Sequence, residues 1–393
     1  MKQIILSKPR IEKQDGKIRW VSTIKGDFIN VDLYYDVEEK MGGYLTDDRL
    51  DGAVVALIPY IMYRSTEDDP INLVCEAPIS KKLYFQLTSE LLPALEKYCD
   101  WYNRFVLTAK TAENRYPAEA VSTSVSCGVD SFYTLIKSRR EFPDEYKVTH
   151  GIFCGMADRG KVNRVERNNA KIVCEKLGLE FVYVESNIVG DIYESRHDAV
   201  SSFVIPSISL ILGKFFKIYY HSSSHVYSEF KIDEHGISMA DSLLTSSFST
   251  ETLSMYSCSG AVTRAEKTDY ISNDKVVQKH LLACGFTETD GEGRTKNCSV
   301  CSKCTITMID LDLAGKLDDF KEVFDVQKFR KSPLYYWGYV FYKEKHGLYI
   351  DSTLEMAKKK NYKIPFGSRA AGIVKIIKHG FKRTNPYQNS FTP

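Results

Sequence analysis

No apolar run in the 393-residue sequence reaches the roughly 20 residues needed to cross a bilayer. The longest candidate, Phe203 to Phe216, is broken by Pro206, Gly213 and Lys214. A secretory leader is lacking too: Met1 to Arg10 offers only Ile4, Ile5 and Leu6, where an apolar block of about 7–15 residues is required. These absences make a cytoplasmic protein with no membrane partner the expectation. Internal repeats and low-complexity tracts are missing, which excludes solenoids and wholesale disorder. The patterns Gly-x-x-x-x-Gly-Lys-Ser/Thr and Gly-x-Gly-x-x-Gly are both absent, so neither a Walker loop nor a dinucleotide fingerprint is present. An overall surplus of one charge is also lacking. A net charge of +2 argues against a protein that coats nucleic acid along its whole surface.

Locally the balance differs. Acidic residues stop at Glu355; from Met356 onward seven Lys and two Arg carry +9 and leave −7 on the preceding residues. The cations are Lys358, Lys359, Lys360, Lys363, Arg369, Lys375, Lys378, Lys382 and Arg383, with Tyr362, Phe366, Phe381 and Tyr387 among them. Such a tail suits an acidic partner, either nucleic acid or a protein acceptor, or docking on the acidic remainder of the chain.

With 43% hydrophobic residues the chain can bury two or three cores. Residues 1–115 mix stretches read as extended (Phe28 to Tyr35, Val54 to Tyr63) with a helix over Lys81 to Trp101, and give an N-terminal α+β domain. Strands at Val121 to Val125, Lys147 to Phe153, Phe181 to Val184 and Lys217 to Tyr220 then alternate with helices, among them Arg164 to Leu177 and Phe203 to Phe216. Alternation of this kind predicts an α/β fold with a parallel sheet over 116–330, and 331–393 reads as a basic helical extension. Ligands of such sheets bind beyond the carboxyl ends of the strands.

At the first of those ends stands Ser126-Cys127-Gly128-Val129-Asp130-Ser131, followed by helix-forming sequence. A glycine here lets the backbone turn tightly, and the amides opening the helix point at anions. Ser126 and Ser131 add hydroxyl donors, while Asp130 suits Mg²⁺ or loop orientation. Downstream, Cys298, Cys301 and Cys304 form Cys-x2-Cys-x2-Cys, the spacing of thiolates on one metal. Cys284 is the nearest candidate for a fourth ligand and Cys258 the next. Zinc is the natural occupant, with an iron–sulfur cluster as the alternative.

The loop resembles the Ser-Gly-Gly-x-Asp-Ser signature of the PP-loop ATP pyrophosphatases, with Cys127 in place of the first glycine. Together with the late cysteine cluster it is similar to the 7-cyano-7-deazaguanine synthases over residues 118 to about 315. The longer relatives of that group occur, among other settings, in anti-phage defence. The resemblance implies a Rossmann-like nucleotide-binding core that cleaves ATP between its α and β phosphates. It also implies structural zinc on Cys284, Cys298, Cys301 and Cys304, adenine against Phe153, Cys154 and Gly155, and a homodimer. Asp158 and Arg159 would then approach the ribose or an acidic substrate. The family's lysine motif corresponds to Arg264, with Lys267 nearby. Ser222 and Ser223 would lie near the phosphates, His225 would serve as acid/base and Asp241 would face the substrate. The implied reaction adenylates a carboxylate or amide, such as a deazaguanine carboxylate, and then joins it to ammonia or an amine. Sulfur transfer to a tRNA or small molecule, and non-catalytic nucleotide binding, are the alternative readings; Cys127, at a helix N-terminus, is separately a candidate persulfide carrier.

Overall fold

The computed structural model describes residues 2–113, 115–156, 160–194, 198–232, 237–285, 288–289, 295–343 and 349–379. Asp158, Arg159, Phe381, Lys382, Arg383 and Tyr387 lie outside them.

Eleven strands make one sheet: β1 (Gln3–Leu6), β2 (Arg10–Gln14), β3 (Lys17–Gly26), β4 (Ile29–Glu38), β5 (Ile71–Cys75), β6 (Phe105–Thr108), β7 (Ala120–Ser124), β8 (His150–Met156), β9 (Glu180–Ser186), β10 (Phe216–Ser222) and β11 (Ser254–Cys258). Their order is β11-β10-β7-β8-β9-β4-β3-β1-β5-β6, with β2 beside β3. The five strands from β7 onward are mutually parallel, and β4 joins β9 antiparallel. Residues 1–115 and the parallel core therefore share one sheet. Within the core the order runs 3-2-1-4-5, a doubly wound arrangement whose direction reverses between β7 and β10.

Helices cover both faces. One face carries α1 (Asp51–Arg64), α4 (Asp198–Ile211) and α5 (Asp241–Ser247); the other carries α2 (Val129–Glu141), α3 (Gly160–Leu177), α6 (Arg264–Ile271) and α7 (Ser302–Leu313). The sequence from Val54 to Tyr63, read as extended, is the inside of α1. Residues 51–62 are all buried there, so the helix is apolar around its whole circumference and shows no amphipathic period. The helix read as Phe203 to Phe216 stops at Ile211, and Phe216 opens β10 instead. After α7 and a short helix over Val326–Lys331 come α8 (Pro333–Lys343), α9 (Ile350–Lys359) and α10 (Ser368–His379), so the described part of 331–393 is mostly helical.

The central strand β7 is Ala-Val-Ser-Thr-Ser, an unusually polar sequence for a buried strand. Its hydroxyls are satisfied by β10: Ser122 Oγ donates to Ile218 O at 3.2 Å and Thr123 Oγ1 to Tyr220 O at 2.8 Å. Close approach of α3 to the sheet depends on Gly151, where a Cβ would sit 2.4 Å from Cys174 Sγ.

Candidate functional site

The chain leaves β7 through Val125, turns at Cys127 and enters α2 with Gly128 as its N-cap. Cys127 adopts φ 58°, the left-handed conformation in which the family pattern has glycine. Its carbonyl accepts from Leu282 N at 2.8 Å, and its side chain is fully buried. Burial pushes the thiol well above its usual range, and Cys174 adds to this. Burial of the thiol weighs against Cys127 as a nucleophilic persulfide carrier, since that role needs an accessible thiolate. Ser126 is exposed at the turn, with its Oγ accepting from Gly128 N at 3.4 Å. Ser131 is turned inward and donates to Ser124 O at 3.0 Å. Val129 is buried beneath the turn.

Asp130 opens onto the point where strand order reverses. Its Oδ2 accepts from Arg264 Nη1 at 2.6 Å and its Oδ1 from Lys267 Nζ at 3.1 Å. Lys267 also donates to Ser223 O at 2.8 Å, so one ammonium ties the exit of β7 to the exit of β10. Thr263 caps α6 in a reciprocal capping box with Glu266, which aims Arg264 and Lys267 inward. Burial raises the Asp130 carboxyl, but Arg264 and then Lys267 outweigh it and hold the group below its ordinary value. Both carboxylate oxygens are thus taken by cations. Asp130 orients the loop and its cations, and this arrangement does not fit a Mg²⁺ held directly on the carboxylate.

Arg264 and Lys267 share the single Asp130 carboxylate in a nearly buried place, and buried Asp310, which burial pushes up to about 7, also acts on Arg264. Arg264 is covered by the ring of Tyr349, 4.7 Å from its guanidinium carbon. Tyr349, at φ 68°, precedes α9, from which Thr353 donates to Asp310 of α7 at 2.8 Å. The C-terminal helices are in this way part of the wall around Arg264. No pattern in the sequence links residues 310 and 349 to the loop, and sequence reasoning missed both.

Other expected residues are more distant in role. Phe153 is buried and Cys154 half-buried, side by side on β8. At Gly155 a Cβ would meet Tyr183 Oη at 2.3 Å, so that glycine makes room for a tyrosine ring. The Ser222 hydroxyl donates to Thr134 Oγ1 at 2.9 Å, and that of Ser223 to His225 O at 2.8 Å. Both hydroxyls are spent within the protein. His225 is buried with Nδ1 3.3 Å from Glu229. Asp241 instead faces His221, with Oδ2 3.8 Å from Nε2.

The four cysteines singled out by their spacing stand together. The sulfurs of Cys284, Cys298, Cys301 and Cys304 lie within 4.8 Å of one another, and Cys258 is not among them. Sulfurs sharing a tetrahedral zinc at about 2.3 Å stand about 3.8 Å apart. Here Cys284 and Cys298 are separated by 3.7 Å, and Cys298 and Cys304 by 3.8 Å. The Cys301 amide donates to Cys298 Sγ at 3.4 Å. This donor set can hold a metal ion such as zinc. Buried Asn297 pins the knuckle: it accepts from Ala283 N at 2.7 Å and donates to Leu281 O at 2.8 Å. Because Leu282 bonds Cys127, the segment carrying Cys284 also holds the turn at Cys127.

The basic tail is partly docked on the chain itself. Lys375 lies 3.9 Å from the Tyr335 ring centre, Arg369 lies 4.7 Å from that of Phe341, and Lys360 pairs with Asp269 at 2.8 Å. No described helix is long and apolar enough to cross a membrane. No protein-family profile, curated protein or solved structure matches this chain.

Proposed function

We propose that this protein is an ATP-dependent adenylating enzyme that releases pyrophosphate and then forms a C–N bond, in the manner of the PP-loop enzymes its motifs resemble. One observation carries the reading. A turn resembling the PP-loop signature stands at the strand-order reversal of a doubly wound sheet, beside a buried cation pair with only one carboxylate between them.

Polyphosphate meets both cations. The amides opening α2, Arg264 and Lys267 bind the departing pyrophosphate and stabilise the charge it gains. Arg264 offers a planar two-pronged contact and Lys267 a point charge. ATP enters with Mg²⁺ on its phosphates, which neutralises part of their charge. The α-phosphate is then attacked by a carboxylate or amide oxygen, for which a deazaguanine carboxylate is the candidate. Zinc on the four cysteines is structural in this reading, fixing Leu282 and hence the Cys127 turn. The basic tail supports an acidic acceptor, protein or nucleic acid. Burial of Cys127 weighs only against that residue as a sulfur carrier.

The test supplies α-labelled ATP, MgCl₂, 7-carboxy-7-deazaguanine and ammonium chloride to the full chain. AMP and pyrophosphate are the expected products. ADP and phosphate, or no cleavage with this acid and a panel of other carboxylates, would overturn the reading.

A further inference from the structure

The face of the sheet opposite Arg264 and Lys267 carries a second group of polar side chains at the same carboxyl edge. His221 stands near the end of β10, and its Nε2 is 3.8 Å from Asp241 Oδ2 at the start of α5. Ser257 of β11, the register partner of His221, donates to the other Asp241 oxygen at 3.4 Å. The Tyr219 ring is 6.5 Å from the imidazole, and Tyr219 Oη shares a hydrogen bond of 2.7 Å with Ser124 at the end of β7. The imidazole keeps 16% of its surface, whereas Asp241 keeps 6%. Among the described residues no hydrogen bond is made to His221 Nδ1. His225, the ring the sequence favoured, keeps only 3% and is turned to Glu229.

We propose that His221 is the proton acceptor for the nitrogen nucleophile, held in the required tautomer by Asp241. The inference rests on the adenylation reading and assigns its second step. The Asp241 charge, 3.8 Å from Nε2 and so beyond hydrogen-bond reach in this geometry, favours the neutral tautomer with its proton on Nε2 and its lone pair on Nδ1. Ammonia or an amine attacks the acyl carbon of the acyl-adenylate. The C–N bond forms, the C–O bond to AMP breaks, and its electron pair leaves on the AMP phosphate. The proton lost from nitrogen passes to Nδ1, and the imidazolium formed is stabilised by Asp241. The groups acting on the ring are Asp241 from α5, the Ser257 hydroxyl from β11, Tyr219 on its own strand and Asp130 from α2. Burial lowers the ring below its ordinary value, and Asp241 and Asp130 offset that only in part. The ring is therefore neutral and able to accept a proton near pH 7.

The test separates the two steps in a single turnover with MgATP, 7-carboxy-7-deazaguanine and ammonium chloride. His221→Gln should release pyrophosphate within twofold of wild type and form product about 100-fold more slowly. Asp241→Asn should slow product formation about tenfold. It should also move the acid limb of the pH profile to lower pH, because a group that raises the ring is gone. Equal slowing of both steps, or of neither, overturns the assignment while leaving adenylation standing. Absence of pyrophosphate release from wild type overturns adenylation itself and this step with it. Nitrogen NMR of the wild-type imidazole does not depend on how the variants fold. It should show a neutral ring protonated on Nε2 at pH 7.5, and a charged ring or an Nδ1 proton overturns the assignment.

Discussion

Two buried charge clusters in this molecule are built in opposite ways. At the strand-order reversal, two cations, Arg264 and Lys267, share one carboxylate, Asp130. Between the N-terminal segment and the core, Arg49 stands between Asp51 at 4.0 Å and Glu251 at 3.8 Å, which leaves −1. That second cluster is sealed. Arg49 donates to Ser80 Oγ at 2.6 Å, Asp51 accepts from Ser80 N at 2.6 Å, and Glu251 accepts from Lys82 N at 2.8 Å. A surplus carboxylate can be silenced by a proton. Burial, only partly offset by Ser80 and Arg49, pushes Asp51 up to about 6. Arg264 has no such exit, because arginine does not lose its proton in proteins, and only Lys267 could shed charge on that side. The negative cluster can neutralise itself by taking up a proton, whereas in the proposed reaction the positive one is met by phosphate.

The sharpest way to separate them is to remove the cation from the sealed cluster. Arg49→Met leaves two buried carboxylates without their partner, and breaking a buried pair costs about 3–5 kcal/mol. Chemical denaturation should show that loss, and MgATP binding by the surviving folded protein should be unchanged. A loss of MgATP affinity would mean that the two clusters are not independent.

The reciprocal change is Asp130→Asn. Without its carboxylate, Arg264 and Lys267 lose the group that aims them, and ATP turnover should fall about 100-fold. Stability should fall as well, by about 1–3 kcal/mol, since two buried cations lose hydrogen-bonded charge. High phosphate or sulfate should recover part of that stability by occupying the place of the missing anion. Wild-type turnover in this variant would show that the ion pairs serve folding alone.

The clusters also differ in how far the sequence announced them. Ser126 to Ser131 and the cysteines were legible because each places chemistry at fixed short spacing, and local geometry then brings the atoms together. Asp130 was legible as a site residue but not as a counter-ion, since its partners lie 134 and 137 positions away. The pairing of Asp241 with His221, 20 positions earlier, had no signal beyond the two residue types. Helix α1 was misread because burial on every side erases the period that marks a helix. Nothing in Arg49, Asp51 or Glu251 alone told of a cluster, because only the packing of α1 against the core assembles it. Backbone strain, too, shows only in the structure: Cys127, Ser259, Ser299 and Tyr349 all have positive φ and all lie around the loop, the knuckle or Arg264.

Acidification tests the sealed cluster from its other side. The folded-state value of Asp51 lies above its ordinary 3.8, at about 6. Its contribution to stability is therefore complete below about pH 4 and is lost as pH rises through about 6. Over the whole range that is about 3 kcal/mol. Between pH 5 and 7.5 the wild type should lose about 1–2 kcal/mol relative to Asp51→Asn, whose amide does not titrate. Denaturation of both proteins at the two pH values measures the difference directly. Parallel pH dependence would mean that Asp51 is ionised throughout and that its mismatch is met some other way.

The smallest expected effect concerns the cover of the positive cluster. Tyr349 lays its ring over Arg264 with the ring centre 4.7 Å from the guanidinium carbon, and holds a left-handed backbone to do so. A cation–π contact in a desolvated place contributes about 1–2 kcal/mol. Part of that contribution fixes the guanidinium in the orientation that Asp130 and an incoming phosphate both use. Tyr349→Ala should therefore weaken MgATP binding about 3–10-fold. Tyr349→Phe keeps the ring and should stay within twofold of wild type. Titration calorimetry on the three proteins, with thermal melting alongside, distinguishes positioning from general loosening. If Phe is as weak as Ala, the hydroxyl matters and not the ring face. If Ala binds like wild type, Asp130 alone is enough to hold Arg264, and the C-terminal helices cover the site without contributing to it.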